Sequence, residues 1–190
     1  YSFKKTIKEL GLCPDYSEEE IERFLVKGCY PLHPLTAILL PKLSQRIAQN
    51  ERTIFTYLST DDENTLIDFI NKNQEEAFPL IRPSGIYNYF EGLMRQELDF
   101  TQVHRAWSDT QRALQKLNRN DINEREFLKT LGIINAVNSF SEIPPSRQIL
   151  RFALDYLTDD EFNLLVENLI KNKIIMFRKS INQFVFFEGS

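Results

Sequence analysis

The residues best suited to recognise phosphate lie in one short segment, between Arg46 and Arg52. An arginine near a helix boundary presents a planar, permanently charged fork that binds phosphate through two hydrogen bonds. Gln49, Asn50 and Glu51 flank Arg52 and add polar groups to the same segment. The alternative interpretation is an ordinary ion pair between Arg52 and a carboxylate, and the spacing taken alone favours it.

A second group of candidate residues lies near the end of the chain. Arg178, Lys179 and Asn182 surround a predicted turn between two apolar strands. DNA-binding winged helices use basic and amide groups at such a hairpin tip to contact the phosphate backbone or the minor groove. The preceding predicted helix opens with three acidic residues, 159–161, which would repel that backbone. DNA contact therefore stays open, but docking of a protein, or a purely structural use, is favoured.

Motifs for self-contained catalysis are absent from the sequence. The chain has only six glycines, and they form neither a P-loop with its lysine nor a dinucleotide-binding GxGxxG pattern. Its two histidines, His33 and His104, are far apart, and neither has a cysteine or second histidine at metal-ligand spacing. We therefore expect no catalytic residue, no metal site and no cofactor within this chain.

Two other residues admit both a functional and a structural interpretation. His33, between Leu32 and Pro34, could titrate as a switch near neutral pH, but a neutral imidazole bonded to the backbone is favoured. Trp107 with Phe90 could stack on a base, whereas an aromatic residue at helical spacing is far more often part of a core. Both are expected to be structural.

Composition limits the classes of protein to which the chain can belong. Its 190 residues are 42% hydrophobic and 12% aromatic, enough for a substantial core, and a net charge of -4 is unlike that of a general polyanion binder. No apolar run approaches the roughly 20 residues of a membrane span. Two isolated cysteines are typical of reduced thiols, so we expect a cytoplasmic protein without membrane contact. Since the chain starts with Tyr1 rather than Met, we expect its natural beginning to lie elsewhere.

The sequence predicts a series of helices over residues 1–120. Ser17 and Glu20 form a capping box, Gly28 ends the helix that follows, and Pro41 should kink or restart the helix that Pro34 begins. Further helices are predicted at about 51–58, 61–71, 84–97 and 101–117, the last two packed as a hairpin, with Leu66, Ile67 and Ile70 facing inward in the second.

The character of the sequence changes from residue 121. Core spacing predicts helices at about 123–138 and 146–157, and Thr158 caps a third. Apolar strands at 174–178 and 183–187 follow, joined by a turn at 179–182. Three helices and a C-terminal β-hairpin are the plan of a winged helix. The predicted fold is thus mainly α, with a helical bundle over 1–120 and a winged-helix domain over 121–190.

Several strings in the chain resemble one class of protein. They are YPLHPLT at 30–36, LP at 40–41, LS at 43–44 and AQNERTIF at 48–55, with LKTLG at 128–132 and FVFFEGS at 184–190. They are similar to a region that follows the nucleotide-binding core in large prokaryotic P-loop ATPases of the AAA+ or STAND-like kind. Several of those ATPases are tied to phage defence, and a winged helix follows their lid.

The resemblance implies a role within a larger protein. The P-loop, with ATP and Mg, would belong to an upstream core of the same polypeptide, and residues 1–120 would complete the ATPase module and form a lid-like bundle. Arg52, Arg46 and Asn50 become candidates for sensing the terminal phosphate of ATP. The chain itself lacks Walker residues, so it would couple nucleotide state to a partner, an effector or DNA without hydrolysing ATP.

An interpretation from another class remains open. The chain could be a stand-alone regulator that binds DNA through its winged helix, or a protein-interaction adaptor. Its N-terminal helices would then serve to dimerise it.

Overall fold

The computed structural model describes residues 2–47, 50–118 and 121–189, without the side chains of residues 50–52. In these ranges the chain forms ten α-helices, one π-helical segment and one two-stranded sheet. The helices are α1 (Phe3–Glu9), α2 (Glu18–Glu20), α3 (Pro34–Arg46), α4 (Asn50–Ser59), α5 (Leu66–Lys72), α6 (Pro83–Gln96), α7 (Gln102–Gln115), α8 (Ile122–Val137), α9 (Arg147–Ala153) and α10 (Asp159–Lys171). The π-helical segment (Ile21–Lys27) continues α2, and the strands are β1 (Ile175–Arg178) and β2 (Gln183–Phe186). The prediction of a mainly α chain is confirmed.

The predicted capping box at Ser17 is present. The Ser17 hydroxyl accepts a hydrogen bond from the Glu20 amide at 3.1 Å, and the Glu20 carboxylate accepts one from the Ser17 amide at 2.8 Å. The helix continues through the π-helical segment and stops before Gly28, as the sequence predicts. Local side-chain chemistry therefore sets the start of this element.

Of the two outcomes expected at Pro41, a kink or a restart, the restart is wrong, because α3 is a single helix from Pro34 to Arg46 with Pro41 inside it. A proline removes one helical hydrogen bond and crowds the preceding turn. Pro41 lies on the exposed side of the helix, whereas Leu39, Leu40 and Leu43 are buried on both sides of it. Burial of one continuous apolar face outweighs the local cost of the proline.

Helix α5 begins later than the sequence predicts. It starts at Leu66 after the cap residue Thr65, whose hydroxyl accepts a hydrogen bond from the Asp68 amide and donates one to the Asp62 carbonyl. Such local side-chain bonds offer the backbone an alternative to the helix, so residues 61–64 stay outside it. Ile70, expected to face inward, is 46% exposed.

Helices α6 and α7 contact each other, which confirms the predicted pairing, and α8 packs on both of them. Gly132 allows the close approach of α8 to α7, because a Cβ at that position would overlap the hydroxyl of Thr110. That hydroxyl donates to the Ala106 carbonyl at 2.6 Å, which holds it in place. Helix α8 is thus the central element of the helical layer.

Three helices, α8 to α10, precede the antiparallel pair β1 and β2, in the order that the sequence predicts. The register places Ile175 opposite Phe186 and Arg178 opposite Gln183. The Phe184 amide donates to the Pro145 carbonyl at 2.8 Å, and its ring lies 5.2 Å from that of Phe127. These contacts fix the hairpin against α8. Helix α9 is shorter than predicted and ends at Ala153.

The hydrophobic core is continuous from the first helix to the hairpin. Its buried side chains extend in sequence from Ile7 to Phe186 and form one cluster. Helix α8 contacts α3, α6 and α7 as well as α9 and α10. The division at residue 120 therefore stays a prediction. Within the described ranges, every helix falls short of the length and apolar character that crossing a bilayer demands.

Candidate functional site at the meeting point of three segments

Buried polar residues gather where three chain segments meet. The segment before α3 runs alongside the segment before α6, with Leu32 and Ile81 paired as an isolated parallel bridge. The His33 amide donates to the Ile81 carbonyl at 2.9 Å, and the Ile81 amide donates to the Pro31 carbonyl at 2.8 Å. This pairing brings His33 and Arg82 to the turn that follows α9. We call His33, Arg82, Glu126 and Asp155 the junction.

His33 begins α3 from a fully buried position. Its Nδ1 accepts a hydrogen bond from the Leu35 amide at 3.1 Å, so the imidazole caps the helix. The ring packs between Phe3 and Phe152, with centroids 5.5 and 4.7 Å away. Its Nε2 lies 3.6 Å from the Asp155 carboxylate. Burial lowers the pKa of His33 despite that carboxylate, in agreement with the neutral, backbone-bonded histidine expected from the sequence.

Arg82 connects the segment before α6 to the end of α9. Its Nη1 donates to the Asp155 carboxylate at 2.7 Å and to the Ala153 carbonyl at 2.8 Å. The guanidinium also lies over the Tyr156 ring, 4.5 Å from its centre. The side chains of Arg82 and Asp155 are only 19% and 12% exposed. Burial raises the pKa of Asp155, but His33 and Arg82 outweigh it, so the pKa is lowered overall.

Glu126 reaches the same place from α8 and is 7% exposed. Helix α6 starts after Arg82, which makes no side-chain cap, and Ser84 in its first turn hydrogen-bonds to the Glu126 carboxyl group. A carboxylate near a helix N-terminus is stabilised by the helix dipole. Burial nevertheless raises the pKa of Glu126, and one of its oxygens, Oε1, has no hydrogen-bond partner among the residues that the structure describes.

The junction resembles part of a hydrolase active site but is arranged differently. A histidine oriented by an aspartate requires a nucleophile on its other nitrogen. In His33 that nitrogen, Nδ1, already accepts a hydrogen bond from the Leu35 amide, so it cannot accept a proton from a nucleophile. The arrangement therefore suits a fixed connection between α3, α6 and the α9–α10 turn rather than proton transfer.

The residues predicted to sense phosphate lie at the boundary between α3 and α4. Arg46 is exposed in the last turn of α3. Asn50 and Arg52 lie in the first turn of α4, but their side chains lie outside the described residues. Helix α3 therefore carries Arg46 at one end and is capped by His33 of the junction at the other.

The residues predicted to contact DNA surround the hairpin turn. Arg178 and Lys179 are exposed, and neither makes an ion pair within the part of the chain that the structure describes. Asn182 differs from them, because its side-chain nitrogen donates to the side-chain oxygen of Gln148 at 2.7 Å. Its side-chain oxygen accepts from the backbone amide of Arg147 at 3.4 Å. Asn182 thus holds the turn against the start of α9, while the two cations extend into solvent.

Sequence reasoning singled out His33 but missed Arg82, Glu126 and Asp155. Glu126 did leave a signal, since it occupies the same buried stripe of α8 as Thr130, Ile133 and Val137. Arg82 also left one, because it precedes a helix-starting proline without the short polar side chain of a usual cap. Asp155 left none, as its partners are distant in sequence.

No group of three or more histidine, cysteine, aspartate or glutamate side chains could hold a metal ion among residues 2–47, 50–118 and 121–189. Both cysteines are free, and burial raises the pKa of each thiol. Comparison of the chain with protein-family models, curated proteins and solved structures finds no match.

Proposed function

We propose that this chain is the lid-like helical bundle and winged-helix unit of a multidomain P-loop ATPase. It is non-catalytic itself and couples the nucleotide state of an upstream core to a partner, an effector or DNA. The observation that carries the proposal is the position of His33. It lies in the YPLHPLT string that resembles those ATPases, caps α3, and packs beside Asp155 and Phe152 of the last third.

The proposed mechanism transmits the movement of α3 to the rest of the chain. ATP with Mg in the upstream core attracts Arg52, Arg46 and Asn50 at the boundary of α3 and α4. Because His33 caps the other end of α3 beside Asp155, displacement of this helix moves the last third with it. ATP thereby shifts the population between two arrangements of one rigid body.

The winged-helix interpretation rests on the order of three helices and a hairpin over α8 to β2. In this interpretation α10 is the recognition helix, and it opens with the acidic residues Asp159, Asp160 and Glu161. An acidic helix start repels a phosphate backbone. We therefore favour a protein partner or effector over DNA for this unit.

The test is ATP binding and turnover by the complete polypeptide that carries Arg52→Ala. Loss of an arginine that stabilises the terminal phosphate should lower turnover or ATP affinity at least about tenfold. Arg23→Ala is the matched control, since Arg23 is exposed and its guanidinium lies over the neighbouring Phe24 ring. Equal turnover and affinity in both variants would remove Arg52 from the mechanism.

The second candidate is a stand-alone DNA-binding regulator or adaptor, favoured by the exposed cations Arg178 and Lys179 at the hairpin tip. It predicts salt-dependent binding of this chain to duplex DNA, weakened when Arg178→Ala and Lys179→Ala are combined. Absence of binding at low salt would count against this candidate.

A further inference from the structure

A polar cleft lies between α6, α7 and α8. Its volume is about 530 Å³, within the range of small-molecule sites. Its polar lining residues include Tyr87, Asn88, Glu91, Gln115, Arg125 and Lys129. None of them belongs to the junction, to the boundary of α3 and α4, or to the hairpin tip.

Two cations on α8 form one wall of the cleft. Arg125 and Lys129 stand four residues apart, so they share one face of the helix. Within the described chain neither forms an ion pair with a carboxylate, and the Lys129 ammonium donates to the Asn88 carbonyl oxygen at 2.6 Å. Burial, and then the charge of Arg125, lower the pKa of Lys129. An anion between the two cations would favour the charged form of Lys129 and so offset both effects on its pKa.

The other polar groups of the cleft are mostly free to donate. The side-chain oxygen of Asn88 is occupied by Lys129, which leaves its amide hydrogens available. The Tyr87 hydroxyl accepts from Gln111 at 2.9 Å, and Gln115 makes no side-chain hydrogen bond in the described chain. A surplus of donors around two cations matches a ligand with several acceptor oxygens.

Glu91, on α6, is an acceptor among these donors. Its Oε1 accepts from the Trp107 indole at 2.9 Å, which fixes the carboxylate at the edge of the cleft. A carboxylate opposes an anion at close range but accepts a hydrogen bond from a neutral hydroxyl. The charge of Glu91 also acts to raise the pKa of Lys129, so the carboxylate lies near enough to the cations to affect a bound anion. A ligand that carries both an anionic group and a hydroxyl satisfies the cations and this acceptor together.

We propose that this cleft binds a phosphate monoester on a hydroxylated body, with the phosphate between Arg125 and Lys129 and a hydroxyl on Glu91. The proposal does not depend on an upstream ATPase core. It adds a ligand site to this chain that the motifs in the sequence do not indicate.

Calorimetric titration of the chain with ribose 5-phosphate at fixed ionic strength tests the proposal. We expect saturable binding that weakens at least about tenfold when Arg125→Gln and Lys129→Gln are combined, since charge-assisted hydrogen bonds are lost. This double variant should fold, because it removes two like charges that lack ion pairs. Lys4→Gln with Lys5→Gln on α1 is the matched control and should bind as the unaltered chain does.

Further titrations divide the proposal into its parts. Glu91→Gln should weaken binding of ribose 5-phosphate more than binding of inorganic phosphate, because only ribose 5-phosphate carries sugar hydroxyls that can reach Glu91 while its phosphate lies between the two cations. Tighter binding of AMP than of ribose 5-phosphate would identify a nucleotide, and the reverse would identify a sugar phosphate. No saturable binding of any of the three probes, or equal binding by the Arg125 and Lys129 double variant, would overturn the proposal. Neither result would bear on ATP turnover by the complete polypeptide.

Discussion

The junction and the hairpin tip use charge in opposite ways. At the junction, Arg82 and Asp155 are mostly buried, lie 2.7 Å apart and connect segments distant in sequence. At the tip, Arg178 and Lys179 are exposed and have no ion pair within the described chain. Buried pairs hold geometry and are costly to break, whereas exposed single charges contribute little to stability. The contrast indicates that the junction maintains the fold and the tip is available to something outside the chain.

Breaking the junction's ion pair should have the largest effect. Arg82→Met leaves the Asp155 carboxylate largely buried without its partner, which should lower the free energy of unfolding by about 3 kcal/mol. Urea titration measures it. Arg112→Met is the control, because the Arg112–Asp109 pair on α7 is much more exposed and should contribute less than about 1 kcal/mol. Equal losses in the two variants would mean that Arg82 is an ordinary surface arginine.

The cap at His33 should have the next largest effect. His33→Leu keeps an apolar side chain between Phe3 and Phe152 but leaves the Leu35 amide without an acceptor, which should cost about 1–2 kcal/mol. His33→Asn is the matched variant, since its side-chain oxygen can accept from the same amide. Thermal unfolding should rank Asn above Leu, and the reverse order would show that packing of the ring matters more than the cap.

Glu126 should give a smaller effect that depends on pH. Its pKa is raised in the folded chain above the ordinary value of 4.5, so the folded state holds the proton more tightly than the unfolded state. The stability that this proton contributes is present below pH 4.5 and lost as pH rises through the folded pKa. Glu126→Gln cannot lose it. Urea titrations across this range should therefore show that the free energy of unfolding of the variant increases, relative to that of the unaltered chain, as pH rises. A difference in free energy that stays constant with pH would contradict a raised pKa of the buried carboxyl group.

The hairpin tip should give the smallest effect on stability. Arg178→Ala combined with Lys179→Ala should change the free energy of unfolding by no more than about 0.5 kcal/mol, as exposed residues without partners usually do. Asn182→Ala in the same turn should cost more, about 1–2 kcal/mol, because Asn182 has a φ of 50° and binds Gln148. If the double variant were the less stable of the two, the tip would be part of the structural framework.

The sequence was informative where chemistry is local. The capping box at Ser17 and the cap at Thr158 could be predicted because each needs only residues three apart, and both are present. The start of α5 could not, since Thr65 and its neighbours form hydrogen bonds that compete with a helix of similar composition. The spacing of Leu39, Leu40, Leu43 and Ile47 does indicate one apolar face across Pro41, but it does not reveal that burial of this face outweighs the proline and keeps α3 continuous.

Most of the junction was beyond sequence reasoning for a related physical reason. His33 stood out by its type and by the proline that follows it, but its neighbours Arg82 and Asp155 arrive from distant segments. An ion pair formed across a fold leaves no periodic signal in either segment. The phosphate-sensing roles of Arg46, Asn50 and Arg52 stay predictions, as do the DNA contacts of Arg178 and Lys179.

Hydrogen exchange of the complete polypeptide with and without ATP tests the central claim most directly. We expect that ATP changes exchange in α4, whose first turn carries the proposed sensing residues Asn50 and Arg52, while residues 30–34, 80–83 and 153–156 stay equally protected in both states. Such a result means that the chain responds to nucleotide and moves as one body. Unchanged exchange in α4, or junction segments that open when ATP binds, would contradict it.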